Sequence, residues 1–220
     1  MVTRNAISAP TGAAGTIYTG QGVGSRPTWV TSASGDVTAA ANLTDNAVIR
    51  GDGGAKGVQT STMVIDDNGQ MLNPSQPAFL AIMSASRLNV TGNGAYYLPI
   101  AFDVEIYDQN SDYDNGTYTF TAPVTGIYQF NSMAEYSQAS GVTACVTMFY
   151  STSLNYSALQ QSAPVDSNNN FGFTGSFELD MDAGDFLRVF AYSYGIGQTV
   201  DITWVSSSDP RTWFSGYLIC

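Results

Sequence analysis

Carboxylates at alternate positions are the strongest candidate for chemistry in this sequence. The stretch Asp108-Gln109-Asn110-Ser111-Asp112-Tyr113-Asp114 places oxygen ligands at every second residue, as the start of a calcium-binding loop does. An EF-hand also needs glycine at the sixth position and an acid at the twelfth, where this chain has Tyr113 and Thr119. We therefore predict a low-affinity calcium site of another type at Asp108, Asp112 and Asp114. The alternative is a polar loop whose side chains cap turns.

No group of residues in the sequence predicts catalysis. The 220-residue chain has no His, which removes imidazole-based triads and most catalytic zinc sites. Asp180, Asp182 and Asp185 cluster in the sequence, but a charged hairpin turn accounts for them, and nothing distinguishes one as a glycosidase acid. We predict no enzymatic activity and no cofactor besides calcium. The sequence leaves open whether Cys145 and Cys220 are bonded to each other.

The charge balance and the apolar pattern of the sequence exclude two classes of partner. With 7 Lys and Arg against 18 Asp and Glu, the formal net charge is −11, and phosphate binding depends on basic residues. We therefore expect no nucleic-acid binding. No apolar run reaches 18 residues, so we expect no membrane insertion. Residues 1–25 lack the apolar stretch of a secretory signal, so we also expect no standard export.

Aromatic residues divide the chain into two regions. Only Tyr18 and Trp29 of the 27 Phe, Tyr and Trp residues lie in residues 1–75. Burial of apolar surface contributes about 25 cal/mol per Å², which in so aromatic-poor a segment cannot offset ordering costs of about 1–2 kcal/mol per residue. We predict that residues 1–75 are extended, lying along copies of themselves or a partner, and that residues 76–220 fold as one domain. A floppy linker is the alternative for the first region.

Strand patterns dominate the second region. In residues 126–136, Tyr128, Phe130, Ala134 and Tyr136 fall on one face, and the period of two is typical of a strand. Similar segments follow, separated by turn residues such as Asn168-Asn169-Asn170. The sequence therefore predicts an all-β fold, a sandwich or jelly roll.

One run within this region is more specific. Phe102, Asp108, Tyr113 and Phe120 follow one another at fixed intervals and lead to Gly126-Ile127-Tyr128-Gln129-Phe130. This spacing resembles the signature of the globular head of complement component 1q, a jelly roll shared with the tumour necrosis factor superfamily. The resemblance extends over residues 76–220, and it departs from the family at Ser132, where an aromatic residue is usual.

The resemblance implies that three copies of the head assemble as a homotrimer. Apolar residues on both faces of several strands fit this, because the second face also needs cover. We predict that eight residues form the core of the head or the seam between its copies. They are Phe102, Tyr113, Phe120, Gly126, Tyr128, Phe130, Phe214 and Tyr217.

The first region carries a second resemblance. The runs 20–30, 35–37 and 42–54, rich in glycine and punctuated by Thr28-Trp29-Val30 and Ala47-Val48-Ile49, look like linker modules of bacteriophage fibre proteins. Such modules precede a trimeric tip. We predict that residues 1–75 anchor the chain to a capsid or tail protein of a virion and form a glycine-rich fibre stalk.

Together these features predict a homotrimeric virion fibre or spike. It would lie on the virion surface after assembly in the host cytoplasm, and its jelly-roll head would bind a glycan or protein of the host cell surface. Candidate contact loops are 151–164, 164–170 and 195–198, with Tyr156 and Tyr194 available for stacking. One alternative is a structural decoration or cement protein of the capsid. Another, a secreted or bacterial-surface binding module, is disfavoured by the absence of a signal sequence.

Overall fold

All regular elements that the structure describes are strands. The computed structural model describes residues 16–19, 28–31, 38–39, 43–54, 57–152, 155–161, 166 and 168–220. Within these ranges there are nineteen strands and no helix, so no helix of the described part could cross a membrane. The chain divides into two compact units, Met1–Asn73 and Pro74–Cys220.

Six strands belong to the first unit. They are β1 (Thr16–Thr19), β2 (Thr28–Thr31), β3 (Thr38–Ala39), β4 (Ala47–Gly51), β5 (Gly57–Ile65) and β6 (Met71–Leu72). β1 and β2 form an antiparallel pair. β5 is the centre of a four-stranded sheet, with β3 parallel to it and β4 and β6 antiparallel. The structure describes the fibre stalk predicted for residues 1–75 only in part, with residues 43–54 and 57–75 as its longest described segments.

The four-stranded sheet has no core of its own. None of the residues described between 43 and 73 is buried, and Ile49, Ile65, Met71 and Leu72 are all exposed. A sheet with a hydrophobic face is normally stabilised by covering that face. This part of the chain therefore has apolar side chains that a single copy leaves in contact with water.

Thirteen strands form the second unit. They are β7 (Ala78–Ile82), β8 (Arg87–Thr91), β9 (Asn93–Tyr97), β10 (Val104–Asp108), β11 (Tyr113–Asp114), β12 (Thr119–Thr121), β13 (Gly126–Ser137), β14 (Ala144–Ser151), β15 (Asn155–Gln161), β16 (Phe171–Met181), β17 (Phe186–Tyr194), β18 (Val200–Ile202) and β19 (Trp213–Leu218).

These strands build a two-sheet sandwich. The larger sheet has the order β10-β7-β19-β13-β18-β8, with β16 also paired to β13, and the smaller has the order β11-β12-β17-β14-β15. From β12 to β19 the chain passes repeatedly from one sheet to the other, which is the winding of a jelly roll. The all-β jelly-roll prediction is therefore confirmed.

Aromatic rings from both sheets fill the space between them. Phe120 of the smaller sheet lies 5.2 Å from Phe130 of the larger, and Phe149 lies 4.4 Å from Phe177, measured between ring centroids. Contacts at these spacings contribute about 0.5–1.5 kcal/mol each beyond the area they bury. Buried tyrosines also keep their hydroxyls bonded: that of Tyr113 donates to the Phe102 carbonyl at 3.0 Å. The core is thus both dense and free of unpaired phenols at this point.

The structure places the eight residues predicted for core or seam in three environments. Phe102, Tyr113, Phe120, Tyr128, Phe130 and Phe214 lie in the core of this single copy. Gly126 is half-buried where β13 begins, and a Cβ there would come within 2.5 Å of the Cys220 carbonyl oxygen. Tyr217 is 47 % exposed and points outward from β19.

Gly216 allows the central strand to pack against its neighbour. It lies opposite Phe130 in the pairing of β13 with β19, and a Cβ at this position would stand 2.5 Å from the Phe130 ring and 2.9 Å from the Phe79 ring. Glycine within a strand often marks such a close approach. Here the missing side chain makes room for two core rings.

Replacing Gly216 with alanine should therefore destabilise the head. We expect Gly216→Ala to lower the free energy of unfolding by about 1–3 kcal/mol, because the new methyl group overpacks the core. Chemical denaturation of the full chain measures this. Gly172→Ala is the matched control, since its Cβ meets only the flexible end of Met133 at 3.3 Å. Equal losses at the two positions would contradict this account of Gly216.

Candidate assembly and binding surfaces

The predicted calcium loop connects β10 to β11, and its carboxylates bond to their own backbone. Asp108 accepts hydrogen bonds from the N–H groups of Asp112 at 3.2 Å and Tyr113 at 3.0 Å. Asp114 accepts from the Gly116 N–H and from the Thr117 hydroxyl, both at 2.8 Å. This is the turn-capping arrangement that acidic residues adopt in loops.

Local contacts also shift the pKa values of two of these groups. Hydrogen bonds from Thr117 and Gly116 lower the pKa of Asp114. Burial raises the pKa of Asp112, with a small addition from the charge of Asp108, while the Asn110 amide acts in the opposite direction. Among the described residues, no three metal-binding side chains lie close enough together to hold an ion. The structure does not bring Asp108, Asp112 and Asp114 to one point, and the calcium site stays a prediction.

The outward face of the larger sheet is a candidate assembly surface. We define the assembly face by five outward residues on four neighbouring strands. They are Leu80, Tyr107, Met133, Trp213 and Tyr217. Leu80, Tyr107 and Trp213 line a shallow hollow of about 310 Å³ together with Pro210 and Ser215.

Charge is almost absent from this face. Glu135, at its edge, is buried and pairs with Arg211 at 3.3 Å, and Arg211 also pairs with Asp209 at the same distance. The exposed carboxylates Glu178 and Asp180 lie on β16, beside β13. In a chain with a net charge of −11, so neutral a sheet face is suited to contact between like-charged copies.

A second apolar surface lies on the outside of the smaller sheet. The aromatic pocket, with a volume of about 440 Å³, is lined by five residues: Tyr96, Leu98, Met148, Tyr150 and Phe190. Phe190 is 7 % exposed and forms the floor, whereas the side chains of Tyr96, Leu98 and Tyr150 are 57 %, 54 % and 37 % exposed. The Tyr96 ring lies 5.8 Å from that of Phe190, and the Tyr150 ring lies 6.2 Å from it.

Arg188 is the basic residue beside this pocket. It lies opposite Tyr150 in the pairing of β14 with β17, and its guanidinium carbon is 5.0 Å from the centroid of the Phe186 ring. Its Nε–H donates to the Thr119 hydroxyl at 2.8 Å. Arg87 and Arg211 form ion pairs with carboxylates, but Arg188 forms none with any residue that the structure describes.

The predicted contact loops and the observed pocket differ. Residues 153–154, 162–165 and 167 lie outside the described residues, and the side chain of Tyr156 is not described either. Tyr194 is exposed at the end of β17 but does not line the pocket. The pocket lies on a sheet face. Its signal in the sequence is the set Phe186, Phe190, Tyr192 and Tyr194 at positions of equal parity, which together with Arg188 make up one face of β17.

Both cysteines are free thiols in the structure. Cys145 is buried on the core side of β14, and burial raises the pKa of its thiol to about 11. Cys220 is exposed. A thiol with so high a pKa is protonated at neutral pH and is therefore a poor nucleophile.

Comparison with known proteins relates the second unit to one family. The family model described as the C1q domain matches residues 78–219. Among solved structures, the chain is similar to the globular domain of zebrafish complement 1qA protein, with 24 % identity and a TM-score of 0.43, covering 66 % of this chain and 98 % of that one. It is also similar to murine APRIL, with 7 % identity and a TM-score of 0.42, covering 66 % and 99 %. No curated protein matches the chain.

The capping role of Asp108 leads to a test that also examines the calcium prediction. We expect Asp108→Ala to lower the free energy of unfolding by about 1–3 kcal/mol, because two backbone N–H groups lose a charged acceptor. Asp180→Ala, on the exposed side of β16, is the control and should change it by less than about 0.5 kcal/mol. Thermal unfolding with excess calcium and with a chelator completes the experiment. A calcium site requires a higher Tm in calcium that Asp108→Ala abolishes, and equal Tm values would refute it.

Proposed function

We propose that this chain, which belongs to the C1q domain family, is a homotrimeric virion fibre or spike protein whose head binds a component of the host cell surface. Domains of this family are typically binding domains without enzymatic activity, and they generally form homotrimers. The assignment to a virion is supported by the likeness of the glycine-rich runs in residues 20–54 to fibre linker modules.

The single observation that carries the proposed assembly is the assembly face. Tyr107 and Tyr217 are about half exposed there, beside the partly covered Leu80, Met133 and Trp213. A closed threefold arrangement repeats one contact three times and leaves no such face in water. The loss of exposed aromatic surface supplies the free energy of association, and the near absence of charge lowers the cost of removing water.

The first unit supports the same assembly. Its four-stranded sheet buries no described side chain in a single copy, although Val58, Met63 and Val64 all lie on β5. Copies of this segment lying side by side would cover those residues and turn an unstable sheet into an ordered stalk. The stalk would then attach to a capsid or tail protein through the N-terminal residues.

A trimeric head suits reversible attachment to a cell. Three linked heads bind a repeated surface component with an avidity well above the affinity of one head. The strongly negative charge keeps the particle from adhering indiscriminately to anionic membranes, so binding depends on specific contacts. A decoration protein that only covers the capsid is the alternative, and it has the same assembly without cell binding.

The assembly face can be tested by mass in solution. We expect the full chain to sediment at three times its mass of 23.4 kDa, and Tyr107→Glu to reduce this to the mass of one chain. The half-exposed Tyr107 makes the substitution harmless to the core, and three buried carboxylates at one seam repel each other. Val124→Glu, a similarly exposed apolar residue in a turn, is the control and should remain trimeric. A monomeric wild type would overturn the proposal.

Binding and labelling separate the two functions. Fluorescent full-length protein should bind to host cells, and antibodies against the head should label intact virus particles. Labelling of particles without binding to cells would identify the decoration protein instead. Absence from particles would refute both.

A further inference from the structure

We propose that the aromatic pocket on the smaller sheet binds a sugar that carries a carboxylate group. The inference rests on the proposed attachment function and names the class of surface component that the head would recognise. It is carried by two independent features, which are the shape of the pocket and the position of Arg188.

The pocket has the size and form of a ligand site. Its volume of about 440 Å³ lies within the range of about 300–1,000 Å³ that small-molecule sites occupy. Phe190 closes the floor, Met148 is partly covered, and Tyr96 and Tyr150 rise at the sides with their rings in contact with solvent. The Tyr96 ring also rests on Tyr192, with 4.9 Å between centroids, which holds that wall in place.

Exposed tyrosine rings suit a sugar better than a fully apolar ligand. The C–H face of a pyranose ring packs on an aromatic face, while its hydroxyl groups stay in water at the open side of the pocket. Tyr96 and Tyr150 present such a face together with a phenolic hydroxyl, an apolar body with a polar end. The ordering cost is small because a tyrosine side chain has only two rotatable bonds.

Arg188 selects for a negative charge. Its Nε–H bond to Thr119 and its stacking over Phe186 fix the guanidinium beside the Phe186 ring, which lies 5.7 Å from the Tyr150 ring at the edge of the pocket. The two terminal NH₂ groups of the guanidinium remain available as donors. Their N–H groups lie in one plane and can bind both oxygens of a carboxylate. No carboxylate of the described residues occupies them, although the chain carries 18 acidic residues. The same positive charge disfavours a quaternary ammonium ligand, which aromatic pockets otherwise accept.

The test compares acidic sugars with their neutral counterparts on the full-length protein. Two matched pairs serve as probes: 3′-sialyllactose with lactose, and tetragalacturonate with its methyl ester. Saturation-transfer NMR detects weak binding, and titration gives the Kd. We expect at least one acidic member to bind at least tenfold more tightly than its neutral counterpart. If neither acidic sugar binds, or if each pair binds equally, the proposal is wrong.

Variants show whether the acidic sugar binds in the aromatic pocket. Arg188→Gln should weaken binding of the acidic sugar at least tenfold and bring it to the level of the neutral one, and Tyr150→Ala should abolish both. Tyr194→Ala is the control, because Tyr194 is an exposed tyrosine on the same strand as Arg188 but outside the pocket. This variant should bind the acidic sugar as the wild type does. Thermal unfolding and the sedimented mass verify that each variant is folded and assembled. A variant that is folded but has lost the trimer would show that this face is an interface, and would overturn the proposal.

A cell-binding assay distinguishes failure of the sugar-binding proposal from failure of the proposed attachment function. If the Tyr150 and Arg188 variants bind host cells as well as the wild type, the pocket is not the recognition site while the attachment function stands. If acidic sugars bind in the pocket but the wild type does not bind host cells, the attachment function fails and the pocket assignment stands.

Discussion

The packing of the Phe130 ring on Gly216 is the contact on which the head depends. The missing side chain of Gly216 leaves room for the Phe130 ring where β13 pairs with β19, and Phe130 reaches Phe120 of the smaller sheet, 5.2 Å away. Around this point the aromatic side chains of both sheets interlock, since interiors pack as densely as organic crystals. A shift of β19 by one residue would place a side chain where Gly216 now makes room for the Phe130 ring, so this contact favours the observed register of β13 and β19.

The aromatic core covers the inward side of each sheet, and the outward sides have a different role. On the larger sheet the outward side carries a partly apolar patch that includes Trp213 and Tyr107, and the carboxylates of Glu178 and Asp180 lie beyond it on β16. On the smaller sheet the outward side is aromatic and concave, with Arg188 beside it. The first surface is extended and shallow, as contacts between copies are, whereas the second encloses a volume suited to a small ligand. One sandwich therefore offers separate faces for the proposed assembly and for the proposed recognition.

Part of this architecture could be predicted from the sequence, and the reasons are local. Alternation in residues 126–136 places Tyr128 and Phe130 on one face, and the structure buries that face. The spacing of Phe102, Asp108, Tyr113 and Phe120 in the sequence is enough to indicate the family, and the family model matches residues 78–219. The acidic loop shows the limit of such reasoning. Asp108, Asp112 and Asp114 have the residue types of a cation site, but the direction of each carboxylate depends on the turn that it caps.

Strand β17 shows what each level decides. Its sequence alone predicted a strand, in which Leu187, Val189 and Ala191 alternate with Phe186, Arg188, Phe190 and Tyr192. Only the tertiary structure decided that the aliphatic face points inward and the aromatic face outward. Two packed sheets stand about 10 Å apart, and rings such as Phe120, Phe130 and Phe149 already occupy that gap. The smaller side chains of β17 fit into the remaining space, and its aromatic side chains lie on the outer side of the sheet, where Phe190 forms the floor of the aromatic pocket.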